Sequence, residues 1–261
     1  MDEATVLYEV GATGVATLRL NHPARRNALS VELLDALIGG FERARDDPGV
    51  RCVVLASADP RVFSSGADLR GFVGPGPLAA KHDEAGRFVR LFELIGRLGK
   101  PTVCAVAGAA LGGAVGVVLA CDLAIAGTEA VFATPELGVG AFPFMVAALL
   151  YRNLPRRTAT EMLLLGERLT AAEAAAAGIV NRVVAPADLD AAVADWADRL
   201  AAAPPLAMRL GKEAIWRQMD MGLLDALDYL RAQLTIAVST DDLREGVGAF
   251  LDHRDPEWKG R

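Results

Sequence analysis

Hydrophobic and polar positions follow two different periods along the first part of the chain. Residues 6–10 and 15–20 alternate between apolar and polar side chains on either side of a glycine turn, which predicts a β-hairpin. Behind Ser30, a favourable N-cap, apolar residues recur at helical spacing, and this predicts a helix that ends before the turn at residues 46–49. Residues 52–56 are continuously apolar and predict a short buried strand.

Strands and helices continue to alternate through the middle of the chain. Helical spacing returns over residues 83–98, and residues 101–106 are β-branched enough for a strand. Residues 108–113 form a glycine-rich loop, followed by a helix of small residues and an apolar segment that ends at Glu136. This order of elements predicts an α/β fold with right-handed parallel crossovers.

The last third of the chain changes from mixed to helical patterning. Residues 170–173 form a capping box before an alanine-rich helix that stops at Gly178, and residues 179–184 predict a strand. We therefore predict an α/β core over residues 1–188 and a helical oligomerisation region over residues 189–261, which needs another surface to cover its apolar face. Its helices are predicted at residues 189–202, 206–219, 222–238 and 240–253.

Composition narrows the classes of function. Of 261 residues, 52% are hydrophobic and 23% charged, which favours a globular chain, and a net charge of −6 argues against a nucleic-acid partner. Three cysteines lie in apolar runs and fit reduced, buried thiols better than a metal site or a disulfide framework. The acidic N-terminal segment lacks the positive region of a signal peptide, so we expect a cytoplasmic protein.

An uncharged run over residues 101–121 has three interpretations. It is long enough to span a bilayer, but it opens with a proline and a strand pattern, so we expect no membrane segment. The free amides of a helix that begins after Gly112 could bind an anion, with Glu136 as a base across the pocket. In the alternative, the helix is purely structural and Glu136 is a solvated loop carboxylate.

Four motifs in this order give the chain a family resemblance: RVFSSGADLRGF, AGAALGGAVGVVLACDLAIA, VFATPELGVGAFP and GERLTAAEAAAAGIVNRVV. Together they resemble the enoyl-CoA hydratase/isomerase, or crotonase, superfamily over nearly the full length. The resemblance implies a spiral of ββα units followed by a helical trimerisation region, assembled as a homotrimer or hexamer. It also implies an acyl-CoA substrate, no separate cofactor and no metal.

The same resemblance assigns the site residues. Two backbone N–H groups, of Ala67 and Gly113, would hold the thioester oxygen, and Glu136 would be the catalytic carboxylate. Arg25 and Arg70 would lie near the CoA phosphates, although both could also be solvated surface charges. The substrate-binding residues that the motifs imply are Arg25, Ala28, Ser65, Asp68, Leu69, Arg70, Gly112, Pro135 and Phe144.

One position departs from the family pattern. Hydratases that use two carboxylates carry a glutamate three residues after the oxyanion glycine, where this chain has Gly116. With Glu136 alone, double-bond isomerisation through an enolate is favoured over 2-enoyl-CoA hydration, and a non-catalytic acyl-CoA binding protein is the third interpretation. The bulky side chains of Phe144, Met145 and Val146 after the family's proline are expected to dry the site and to raise the pKa of Glu136.

Overall fold

The computed structural model describes residues 4–261, and the first three residues of the acidic N-terminal segment lie outside it. The hairpin predicted from sequence is present, with Val6 paired to Leu20 and Val10 paired to Ala16. The strands of the described residues are β1 (Val6–Val10), β2 (Val15–Leu20), β3 (Cys52–Ser57), β4 (Val62–Ser64), β5 (Thr102–Val106), β6 (Ala109–Leu111), β7 (Leu123–Gly127), β8 (Val131–Ala133), β9 (Leu169–Thr170) and β10 (Arg182–Val184).

Helices follow the strands and then take over the C-terminal part. Short 3-10 helices span Pro23–Arg25, Pro135–Val139 and Pro186–Asp188. The α-helices within residues 4–261 are α1 (Val31–Asp46), α2 (Leu69–Val73), α3 (Leu78–Gly96), α4 (Gly113–Ala120), α5 (Phe144–Asn153), α6 (Arg156–Leu165), α7 (Ala171–Ala177), α8 (Leu189–Ala201), α9 (Pro205–Gln218), α10 (Leu223–Ala237) and α11 (Asp241–Asp252).

From β3 to β8, successive strands alternate between two sheets. The larger sheet has the order β1-β2-β3-β5-β7-β10, and all its pairs except β1 with β2 are parallel. The smaller sheet has the order β4-β6-β8-β9, in which β4, β6 and β8 run parallel. The pairs β3–β4, β5–β6 and β7–β8 each add one strand to each sheet before the chain turns into a helix, which confirms the expected spiral of ββα units.

Helix α4 lies at the centre of the core and positions the site. Its residues are buried apart from the half-buried Leu119, and it is uncharged because no face of it reaches water. Strands β3 and β5 are almost entirely buried, and part of each belongs to the same buried cluster as α4. The uncharged run over residues 101–121 is therefore one strand of each sheet and a core helix. Within the part of the chain that the structure describes, no helix is long and apolar enough to cross a membrane.

Local signals placed several element boundaries correctly. The Ser30 side chain accepts a hydrogen bond from the Leu33 N–H at the start of α1. Thr170 and Glu173 form the predicted capping box, and α7 ends at Gly178 in the left-handed region. All three cysteines are free and buried, as predicted.

Three segments differ from the sequence predictions. Residues 109–111 of the predicted loop form β6, because β4 and β8 supply hydrogen-bonding partners on both sides. The strand predicted at residues 179–184 is limited to β10, where pairing with β7 begins only at Arg182. Helix α3 begins five residues before the predicted start at residue 83, directly after the irregular run at residues 74–77.

The C-terminal helices contact the core in different ways. Helix α8 packs on the larger sheet through Val193 and Ala197, so it shares a buried cluster with β3, β5 and β7. Helix α9 is attached by Lys212, whose Nζ lies 2.7 Å from Asp122 Oδ2. The later helices expose large apolar side chains, among them Leu224 at 77%.

Candidate active site

Two glycine-bearing loops meet at the carboxyl ends of β4 and β6. Gly66 has a φ of +87°, and a Cβ added there would lie 2.7 Å from the Leu111 carbonyl oxygen. Gly112 has a φ of +54° and donates its N–H to Ala133 O at 2.8 Å. Only glycine fits both the backbone conformation and the close approach at these positions. The pairing of β4, β6 and β8 therefore brings residues 66–67, 112–113 and 134–136 together at the carboxyl-terminal ends of these strands; we call this group the cradle.

The two amides expected to bind a thioester oxygen are both free in this cradle. Leu29 donates to Gly66 O at 2.8 Å and accepts from the Asp68 N–H at 3.4 Å, so the intervening Ala67 N–H points away from this bridge. Gly113 is the first residue of α4, where backbone N–H groups have no partner within the helix. Within residues 4–261, neither amide donates a hydrogen bond.

The Glu136 carboxyl lies against the same cradle. It is the second residue of the 3-10 helix that follows β8, and its Oε1 would lie 2.5 Å from a Cβ built on Gly112. Its Oε2 is buried and has no hydrogen-bond partner among the described residues. Burial raises the pKa of Glu136 above the ordinary value of 4.5, although its own backbone N–H acts in the opposite direction. The alternative of a solvated loop carboxylate is therefore wrong.

A charged cluster borders the cradle next to Ala67. Asp68 caps α2 by accepting from the Arg70 N–H, and Arg70 Nε lies 3.1 Å from Asp68 Oδ1. Arg25 Nη1 lies 3.6 Å from the other oxygen of Asp68. Burial acts to raise the pKa of Asp68, but the hydrogen bonds from Arg70 and the two nearby guanidinium charges leave it below its usual value. Two exposed cations thus share one carboxylate beside the free amide.

The other predicted binding residues lie in different parts of this region. Ala28 is buried, and it precedes the residue that bridges to Ala67. Ser65 is half-buried, and its N–H donates to Arg26 O at 3.0 Å. Leu69 is 43% exposed at the start of α2, and Pro135 opens the 3-10 helix that carries Glu136.

Phe144 does not exclude water from the candidate site. Its side chain is 76% exposed at the start of α5, where its ring packs 5.0 Å from the ring of Phe142. The raised pKa of Glu136 therefore comes from its own burial beside Gly112 and not from this ring. In the sequence the residue looked like a wall of the site because it follows Pro143, but the first turn of α5 directs it outward.

Two phenylalanines of α3 are the site residues that sequence reasoning missed. A Cβ on Gly113 would lie 2.9 Å from Phe88 Cε1, and a Cβ on Gly116 would lie 2.6 Å from Phe92 Cζ. Both rings are buried, with centroids 6.2 Å apart. Their helical spacing marked them as core, and no local signal indicated which glycines they would cover. The space that a carboxylate at position 116 would need is filled by the Phe92 ring.

The spiral of ββα units, with paired glycine loops and a helix N-terminus at its centre, is the crotonase fold. The solved structure of an enoyl-CoA hydratase from Mycobacterium smegmatis is similar to this chain with a TM-score of 0.94 and 34% identity, over 98% of this chain and 99% of that one. An enoyl-CoA hydratase from Bacillus anthracis matches with a TM-score of 0.93 and 29% identity, over 98% and 100% of the two chains.

Comparison of sequences gives the family itself. The model of the enoyl-CoA hydratase/isomerase family matches residues 11–261. The 2,3-dehydroadipyl-CoA hydratase of Escherichia coli K12 is 35% identical over 95% of this chain and 96% of its own length. The carnitinyl-CoA dehydratase of Salmonella arizonae is 34% identical over 94% and 95%. This chain belongs to the enoyl-CoA hydratase/isomerase family and is an enzyme of that family.

Proposed function

We propose that this protein moves the double bond of an enoyl-CoA thioester through an enolate intermediate. The observation that carries the proposal is the carboxyl of Glu136, which lies against Gly112 with one oxygen buried and without a hydrogen-bond partner among the described residues. Burial raises the pKa of this carboxyl above its ordinary value, which favours a group that both accepts and returns a proton. The position where a second carboxylate would orient water is Gly116, which is covered by Phe92.

In the proposed reaction, Glu136 removes a proton from C2 of a 3-enoyl thioester. The electrons move into the thioester carbonyl, and the resulting dienolate oxygen is bound by the N–H groups of Ala67 and Gly113. Each such donor typically lowers the barrier by about 3 kcal/mol, and the positive end of the α4 dipole acts in the same direction. Glu136 then returns the proton to C4, which leaves a 2-enoyl thioester. Every step is a proton transfer, so the proposal requires neither a metal nor a separate cofactor.

The acyl-CoA would bind across the carboxyl-terminal ends of β4, β6 and β8. Arg25 and Arg70, which already share Asp68, would contact phosphate oxygens of CoA, for which paired guanidinium groups are suitable donors. The thioester and the start of the acyl chain would lie between the two glycine loops. Their proposed neighbours are Ala28, Ser65, Leu69, Gly112 and Pro135.

Hydration of a 2-enoyl-CoA is the second candidate reaction. It is favoured by the names of the relatives, which include hydratases and a dehydratase. A non-catalytic acyl-CoA binding protein is the third candidate, and it would use the same cradle without proton transfer.

We also propose that the chain assembles as a homotrimer or a hexamer in the cytoplasm. Helices α10 and α11 expose apolar side chains that a second copy would cover, including Leu223, Leu224, Phe250 and Leu251 at 69–79% exposure. Sedimentation equilibrium of the purified protein tests the assembly, because a monomer at micromolar concentration would contradict it. Cell fractionation tests the compartment.

The deciding experiment follows deuterium from solvent into acyl-CoA. The protein is incubated in D2O with a 3-enoyl-CoA and, separately, with a 2-enoyl-CoA, and products are identified by mass and NMR. The proposal predicts double-bond migration from the 3-enoyl substrate, with migration and exchange reduced about 10²- to 10⁴-fold in E136Q. Binding without exchange would support the non-catalytic candidate. Conversion of the 2-enoyl substrate to a 3-hydroxyacyl product, without migration from the 3-enoyl substrate, would support the hydratase.

A further inference from the structure

We propose that Phe92 determines the outcome of the reaction, by filling the space beside Gly116 and keeping water away from the enolate. This inference rests on the proposed isomerase function and names the residue that separates isomerisation from hydration. Phe92 belongs to α3 and comes from a different part of the chain than the glycine loops and Glu136.

The packing of α3 on α4 places a wall of two phenylalanine rings, Phe88 and Phe92, against the α4 backbone. Phe88, Phe92 and Gly96 are four residues apart and therefore lie on one face of α3. The first ring covers Gly113 and the second covers Gly116, while Gly96 is packed against the Trp216 ring. Because Gly113 and Gly116 have no side chains, the rings approach the α4 backbone directly. At 4% and 7% exposure, both rings are shielded from bulk water.

On its other side, Phe92 borders a cavity that water can enter. The cavity has a volume of about 510 Å³ and lies between α3, α4, α5 and α9. Its lining includes exposed charged residues such as Glu93, Arg152 and Asp220, so its outer part is solvated. A water molecule occupies about 30 Å³ in the liquid, and truncation of the ring would open at least that much space toward Gly116. Phe92 is thus the partition between a solvated cavity and the helix whose first amide lies in the cradle.

The chemical consequence concerns what happens to the conjugated 2-enoyl product. In hydration, the oxygen of water bonds to C3 while one of its O–H bonds breaks, the C2–C3 double bond becomes a single bond, and the proton lost by water is balanced by one added at C2. With no water within reach, the product leaves as the 2-enoyl thioester. Once water reaches the bound thioester, the same oxyanion contacts that stabilise the dienolate also stabilise the enolate formed by this addition. The ratio of 3-hydroxyacyl to 2-enoyl product therefore measures how well the Phe92 ring excludes water from the bound thioester.

The test is a size series at position 92 with 3-enoyl-CoA as substrate. Wild type, F92L, F92V and F92A are compared for the ratio of 3-hydroxyacyl-CoA to 2-enoyl-CoA at equal conversion. We expect the ratio to rise as the side chain shrinks and to reach about ten times the wild-type ratio in F92A. This corresponds to a change of roughly 1.4 kcal/mol in the barrier to hydration relative to the barrier to product release. The intermediate variants keep the test valid where the largest truncation fails to fold.

Leu91→Ala is the matched control. Leu91 is fully buried on the same helix, and it is not among the residues that line the cavity. Its truncation removes core contacts without opening the wall, so the product ratio is expected to stay within twofold of wild type. The double variant F92A/G116E adds a carboxylate where the ring was, and hydration should increase further.

The outcomes separate the two proposals. If wild type isomerises the substrate and the product ratio stays constant across the series at position 92, the role of Phe92 is overturned and the isomerase proposal stands. An equal rise in L91A would also overturn it, because general loosening would then explain the effect. A wild-type protein that does not isomerise the substrate removes the basis of both proposals.

Discussion

Replacing Gly112 with alanine tests the geometry on which the proposed site depends. Gly112 has a φ of +54° and a ψ of −124°, a conformation that a residue with a Cβ rarely adopts. The added methyl carbon would lie 2.5 Å from Glu136 Oε1 and 3.1 Å from its carboxyl carbon. Ordinary contacts of this kind need about 3.5 Å, so the carboxyl must move by roughly 1 Å.

The substitution has two separate effects, one on stability and one on the reaction rate. Backbone strain at position 112 is expected to lower the free energy of unfolding by about 1–3 kcal/mol. A shift of roughly 1 Å in a catalytic group typically reduces the rate about 100-fold. G112A should therefore be modestly less stable than wild type and much less active.

The assays are urea unfolding for stability and solvent deuterium exchange into acyl-CoA for activity. Gly39→Ala is the matched control, because Gly39 is an exposed residue inside α1 with nothing within 4 Å of an added Cβ. This control should be stabilised by about 0.5–1 kcal/mol and should exchange at the wild-type rate. If G112A kept wild-type stability and exchange, the placement of Glu136 against Gly112 would be refuted.

Three further predictions concern charged groups. Because burial raises the pKa of Glu136 above 4.5, its ionised form costs stability at neutral pH, so E136Q should unfold at a higher temperature than wild type at pH 8; this advantage should shrink as the pH falls through the raised pKa and should be gone below pH 4.5, and a difference that does not change with pH would contradict this. K212A leaves Asp122 without its partner at 2.7 Å and should lower the free energy of unfolding by about 3 kcal/mol in urea titrations; an unchanged midpoint would contradict this. The double variant R25A/R70A should raise KM about tenfold for a CoA thioester but not for a pantetheine thioester, which lacks the nucleotide phosphates; equal effects on both substrates would exclude phosphate contacts.

The sequence alone contained enough local information for most elements and for the identity of the family. The Ser30 cap, the Thr170–Glu173 capping box and the left-handed Gly178 were readable because their hydrogen bonds join residues close together in the chain. Two predictions, the loop at residues 108–113 and the start of the strand at residue 179, were wrong because strand pairing between distant parts of the chain sets these boundaries. Strand β6 exists because β4 and β8 flank it, and the start of β10 is set by its pairing with β7.

The candidate site shows the same division between local and long-range information. The resemblance of the glycine motifs and the Thr-Pro-Glu turn to those of the family predicted Ala67, Gly113 and Glu136 as site residues. Their mutual placement depends on strand pairing in the smaller sheet, which joins residues far apart in the sequence.

Which side chains pack against the glycines of α4 was decided by the tertiary structure alone. Phe144 follows the segment of Glu136 in sequence but is exposed at 76%, whereas Phe92 comes from a separate helix and fills the space beside Gly116. A hydrophobic pattern specifies that a residue is buried but not which partner it meets, because contact depends on how separate helices pack in space. The motifs of the sequence therefore indicate the family and its candidate residues, while the packing of the Phe88 and Phe92 rings on Gly113 and Gly116 arises only when α3 packs against α4.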